Sequence, residues 1–128
     1  MSYYFSKTLK TSFDEAIERV TAALKVEGFG VLTEIDVQAT FRKKLDADFQ
    51  PYRILGACHP QSAFKALSAE DKIGTMLPCN VIVQDVGGGK IEVAAIDPIA
   101  SMSAVKNETL GGVATEVQGK LRAVIDAL

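Results

Sequence analysis

The sequence predicts an α+β fold: a five-stranded sheet, mixed but largely antiparallel, packed by long helices near the two ends of the chain. Three observations carry that expectation. Leu110, Val113, Val117, Leu121, Val124 and Leu128 recur every three or four residues, the spacing that puts apolar side chains on one face of a helix. Ser12, Phe13, Asp14 and Glu15 form a capping box, in which the Ser12 hydroxyl accepts from the Glu15 amide while the Glu15 carboxylate reaches back. Two strand-like runs, Cys79 to Val86 and Lys90 to Ile96, flank Gly87, Gly88 and Gly89. Glycine enters left-handed conformations without steric cost, so this segment reads as a hairpin and that part of the sheet as antiparallel.

The other elements follow in order. Tyr3 to Leu9 alternates in the manner of a first strand. The capped helix then carries Phe13, Ile17, Val20 and Leu24 on one face, and Gly28 ends it in a left-handed conformation. Phe29 to Ile35 is a second strand, after which Asp36 caps a short helix with apolar Val37, Phe41 and Leu45. Its Arg42, Lys43 and Lys44 read as a solvated face in preference to a docking site. Tyr52 to Cys58 is a third strand that runs into Pro60, whose fixed φ suits the first helical position. The helix starting there is expected to turn Ala63, Phe64 and Leu67 toward the core and to end in the polar run Ser68 to Lys72.

With 128 residues, 48% of them hydrophobic and 23% charged, residues 1–128 are expected to form a single globular domain. Fourteen basic residues against sixteen acidic ones give a net charge of −2. A nucleic-acid partner is not expected, because phosphate neutralisation supplies most of that affinity and needs a basic excess or stripe. No run approaches the roughly eighteen uninterrupted apolar residues of a membrane span. Met1 to Lys10 holds no signal-peptide core, and there are two cysteines, so a reducing cytoplasm is the expected compartment and a permanent disulfide is disfavoured.

The two cysteines, the single histidine and Asp97 are the candidates for chemistry. In Gly56-Ala57-Cys58-His59-Pro60, His59 would cap the helix that Pro60 begins, and Cys58 would lie one step outside, near amides that favour thiolate. In Leu77-Pro78-Cys79-Asn80, Cys79 opens the hairpin. A three-residue turn pairing Val86 with Lys90 would pair Val83 with Val93, Val81 with Ala95 and Cys79 with Asp97. That carboxylate would raise the Cys79 pKa unless a cation lay between them. Cys58, His59 and Cys79 are the candidate metal ligands, for a soft ion. Adjacent ligands leave a strand on opposite faces, however, and two distant cysteines lack the close-pair spacing of zinc sites. Against all of these stands the ordinary role of an unpaired cysteine as a small buried hydrophobe. The glycine run lacks the lysine and following helix of a phosphate loop, no serine sits in a nucleophile elbow, and Met102 reads as core filling.

The motifs Gly56-Ala57-Cys58-His59-Pro60, Leu77-Pro78-Cys79-Asn80-Val81 and Asp97-Pro98 occur in that order, after Ser12-Phe13-Asp14-Glu15-Ala16 and Gly28-Phe29-Gly30-Val31. Together they resemble the domain-of-unknown-function family 302 (DUF 302) over nearly the whole chain. The resemblance implies a TATA-box-binding-protein-like arrangement of strand, helix, four strands and helix, with short inserted helices. It implies nothing about DNA, because fold does not carry function. It also implies that cysteines matching Cys58 and Cys79 are the family's most characteristic feature. The residue after the first cysteine is typically asparagine there and His59 here, so a histidine ligand is not a general family property.

Two functional expectations of different kinds result. One is a small cytoplasmic binding module in which Cys58 and Cys79 meet at one end of the sheet and hold a soft metal ion, a sulfur species or a transient disulfide. Cys58 would then be the more reactive thiol and Asp97 a modulating carboxylate. The other is a non-catalytic interaction domain that forms a homodimer through a sheet face or edge, with the cysteines only packing. No catalytic residue and no definite cofactor is assigned.

Overall fold

The computed structural model describes residues 2–128. Its elements run β1 (Tyr4–Lys10), α1 (Phe13–Val26), β2 (Gly30–Asp36), α2 (Val37–Leu45), β3 (Tyr52–Cys58) and α3 (Pro60–Ala69). A 3₁₀ segment (Asp71–Met76) then leads to β4 (Cys79–Gly87), β5 (Lys90–Ile96), the single-turn α4 (Pro98–Ser101) and α5 (Glu108–Asp126). The five strands form one open sheet in the order β1-β5-β4-β3-β2.

Every neighbouring pair is antiparallel, which corrects the expectation of a mixed sheet. The unit β1-α1-β2 does bring its two strands out in the same direction. They lie at opposite edges with β5, β4 and β3 between them, so no two parallel strands touch.

Local chemistry fixes the element ends. Ser12 Oγ accepts from the Glu15 amide at 3.1 Å, while the Glu15 carboxylate is engaged by the Thr11 hydroxyl at 2.6 Å. Gly28, at φ +87°, closes α1. The Gly28 amide donates to the Lys25 carbonyl and the Phe29 amide to the Leu24 carbonyl, the paired bonds of a Schellman cap. Gly88 and Gly89 at φ +66° and +75° make the β4–β5 turn, both with the positive φ that a two-residue hairpin turn demands. Because this turn is one residue shorter than expected, Gly87 pairs with Lys90 and the ladder shifts at Asp85. Beyond the shift, Val83 pairs with Val93 and Val81 with Ala95 as the sequence predicts.

Strand alternation divides the sheet into two faces. Leu55, Ala57, Cys79, Val81, Val83, Ile91, Val93 and Ala95 are buried on the face covered by α1 through Ala16, Val20 and Leu24 and by α5 through Leu110, Val113, Val117, Leu121 and Val124. On the other face the register lines up Ile35, Ile54, Ile82, Ala94 and Ser6 across all five strands. The basic triplet of α2 is a solvated face, where Arg42 pairs with Asp46 and Asp48.

Gly56 is sterically required. A Cβ there would overlap the Thr33 hydroxyl of the neighbouring strand and stand 2.8 Å from Pro78 Cγ. Pro78 Cγ belongs to a closed ring, so it has little freedom to give way. Gly56→Ala is expected to destabilise the protein by about 1–3 kcal/mol, the usual cost of overpacking, read as a lower urea midpoint with an unchanged slope.

Candidate functional site

The register of the sheet determines which side chains meet at its end. Ala57 is directly opposite Cys79, so Cys58, the last residue of β3, ends beside the first residue of β4. The chain then turns into α3 with Pro60 at its first position and His59 as the cap residue. The two cysteines thereby come to the same end of the fold.

Both line a cavity of about 290 Å³ between the sheet end, α3 and α5. Its existence follows from how α3 sits. The sequence predicts that Ala63, Phe64 and Leu67 pack into the core; instead Ser62 and Ala66 are buried and Phe64 is 75% exposed. Ala66 is small, and the helix is held in place where Asn107 Nδ2 donates to the Ala69 carbonyl at 3.1 Å. Ala63 and Leu67 are therefore left facing open volume. Met102, Ala114 and Val117 also line it.

A β-bulge completes the mouth. In β2, Val31 pairs with Ala57 and Thr33 with Gly56, so Leu32 is an extra residue. A bulge re-aims the side chain it carries, and Leu32 is 68% exposed while lining the cavity. Nothing in the sequence marks Leu32, whereas Gly56 opposite the irregularity could have hinted at it.

The thiols differ. Cys58 is partly exposed and Cys79 buried, and both are free. Burial, with a smaller contribution from the charge of a nearby ionised Cys58, pushes the Cys79 thiol from 9.0 up to about 11. The sequence assigned that effect to Asp97, which is a correction: the β4–β5 ladder ends at Val81–Ala95, and Asp97 turns away to cap α4. Its Oδ1 accepts from the Ile99 amide at 3.0 Å and from Gln118 Nε2 at 3.1 Å.

His59 lies on the cavity wall with its Nδ1 2.8 Å from Ser62 Oγ and its ring edge-on to Phe29. Nε2 would be 3.1 Å from a Cβ at position 28, so Gly28 also makes room for the imidazole. Among the described residues no group of three His, Cys, Asp or Glu side chains is placed to hold a metal ion. Among them, too, no helix is long and apolar enough to cross a membrane.

These features define a class of protein: an α+β domain with an open antiparallel sheet and, at one sheet end, an apolar cavity walled by two free thiols. The family model described as "Domain of unknown function DUF302" matches residues 5–128, and the chain belongs to that family. Among solved structures it is similar to the uncharacterized conserved protein DUF302 from Bacillus stearothermophilus, with 29% identity and a TM-score of 0.90 over 99% of this chain and 98% of that one. No curated protein matches the chain.

Because the folded state holds the Cys79 proton more tightly than the unfolded chain, its contribution to stability is complete below about pH 9 and is lost as pH rises toward about 11. The expected loss is roughly 2–3 kcal/mol over that window. Subtracting the urea-unfolding pH profile of Cys79→Ala from that of the wild type should isolate it, and parallel profiles would refute it.

Proposed function

We propose that this protein is a binding module for a small, neutral, apolar molecule, taken into the cavity at the sheet end with Cys58 and Cys79 as sulfur contacts. The observation that carries the reading is that both thiols share the wall of one apolar cavity. Its volume of about 290 Å³ is at the small end of ordinary ligand pockets. Besides the thiols, His59 and Ser62 supply the polar side chains of the described wall, and these two are hydrogen-bonded to each other.

That wall favours a sulfur species or an uncharged organic molecule over the soft metal ion also considered for Cys58, His59 and Cys79. Burying a cation among apolar side chains forfeits its hydration, and among the described residues no group of three His, Cys, Asp or Glu side chains is placed to replace it. The unbridged thiols support a reducing compartment such as the cytoplasm.

The test is titration with a neutral naphthalene fluorophore. Ala63→Trp, which grows a large side chain into the cavity, should weaken binding at least tenfold, while Phe64→Ser, on the exposed side of α3, should leave it unchanged. Equal affinity in wild type and Ala63→Trp would overturn the reading.

A second reading, a homodimer in which the cysteines only pack, is favoured by one observation. The Ile35, Ile54, Ile82, Ala94 row forms a continuous apolar stripe on the sheet face opposite α1 and α5. Sedimentation equilibrium should then give a dimer in the wild type and in the double variant Cys58→Ala/Cys79→Ala, and a monomer in Ile82→Glu. A monomeric wild type would refute it.

A further inference from the structure

A second recess, of about 360 Å³, lies on the sheet face that α1 and α5 leave open. It shares no lining residue with the thiol cavity. Strand register gives it a floor and two unlike ends. Ile82 and Ala94 on β4 and β5 make the floor, separated only by the width of one strand pair. At one end Tyr4 stands opposite Ile96, with Asn80 nearby on β4. At the other end Glu92 stands opposite Gln84, and Gln84 opposite Tyr52. Glu92 and Ile96 are four residues apart on β5, so the two ends are separated by about 13 Å.

The Glu92 end carries an oriented carboxylate without a counter-ion. Gln50 Nε2 donates to Gln84 Oε1 at 3.4 Å, and Gln84 Nε2 donates to Glu92 Oε1 at 2.8 Å. This relay holds one carboxylate oxygen and leaves Oε2 without a hydrogen bond among the described residues. Glu92 is half-buried, and no ion pair among the described residues includes it. Lys10 and Lys90 stand one row further out on the same face; both are exposed, and neither lines the recess. A carboxylate that has lost part of its hydration gains most from a cation that also donates hydrogen bonds to it. Among the described residues no group of three His, Cys, Asp or Glu side chains could hold a metal ion, so an organic ammonium fits this end and a metal does not. The opposite end is aromatic and polar. Tyr3 and Tyr4 pack edge-on with ring centroids 5.1 Å apart, and Asn80 offers both a donor and an acceptor beside them.

We infer that this face binds a small aromatic amine. Its ammonium group sits against Glu92, its ring lies over Ile82 and Ala94, and a polar tip on the ring reaches Asn80 and the tyrosine pair. The site is independent of the thiol cavity and of whatever that cavity holds. The homodimer considered above would cover the same Ile82 and Ala94, so the face serves one purpose or the other.

Calorimetric titration of the wild-type protein with three ligands of one shape tests the inference: tyramine, its neutral alcohol counterpart tyrosol, and the anionic 4-hydroxyphenylacetate. Tyramine should bind with a dissociation constant below about 1 mM, a modest affinity for a ligand of this size. Tyrosol and 4-hydroxyphenylacetate should bind at least tenfold more weakly. Glu92→Gln should weaken tyramine at least tenfold and remove its advantage over tyrosol. Glu116→Gln, which deletes an exposed carboxylate on α5, should leave tyramine binding unchanged. Amide shifts on adding tyramine should be confined to β1, β3, β4 and β5 around the recess. Failure of the wild type to bind tyramine overturns the inference, whether the recess lacks affinity or a second copy covers it. Equal binding of tyramine and tyrosol by the wild type overturns it as well, and neither result depends on a variant folding.

Discussion

The antiparallel register of β3 on β4 is the constraint on which the cavity depends. It sets Ala57 against Cys79 and Leu55 against Val81, and it puts these four side chains in the core. A slip of one residue would turn one strand's entire buried set to the opposite face. Burial on one side therefore locks the register, and on the other side Gly56 locks it again by admitting Thr33 and Pro78 where any side chain would collide. The positive-φ turn at Gly88 and Gly89 fixes β5 relative to β4 in turn, so the position of each thiol is specified by residues well outside the site.

The open volume beside the thiols has a packing origin. Protein interiors ordinarily close to crystal-like density, yet here the junction of sheet, α3 and α5 is built from the small side chains Ala57, Ala63, Ala66 and Ala114. Pro60 starts α3 and the Asn107 bond to Ala69 secures its far end, so the helix is held at both ends and does not settle into the gap. Leu32, pushed out by its bulge, adds an apolar lip. The cavity is thus a product of positions held fixed on three sides, and forgoing the contacts that would fill it has a cost the fold sustains elsewhere.

Much of this was legible from residue pattern. Helix starts at Ser12, Asp36 and Pro60, the stop at Gly28 and the five strands are local events written in capping chemistry and periodicity, and the structure follows them closely. The placing of Cys58 and Cys79 at neighbouring strand ends was also within reach. What escaped depends on distant parts of the chain. The face of α3 that packs inward, burying Ser62 and exposing Phe64, depends on where the later elements lie, and β1 and β2 are separated by three later strands. The Asp97 carboxylate, expected beside Cys79, is claimed by a local helix cap and by Gln118, a competition that strand register alone does not show.

The space beside the two thiols is lined almost wholly by apolar side chains, and a neutral guest should enter it. Diffraction from crystals pressurised with xenon tests it most directly, since xenon settles in apolar cavities and is displaced by water from polar ones. Xenon density is expected in van der Waals contact with Cys58, Cys79 and Met102. A space filled instead by ordered water, or closed by Leu67 and Met102 folding into it, would contradict it.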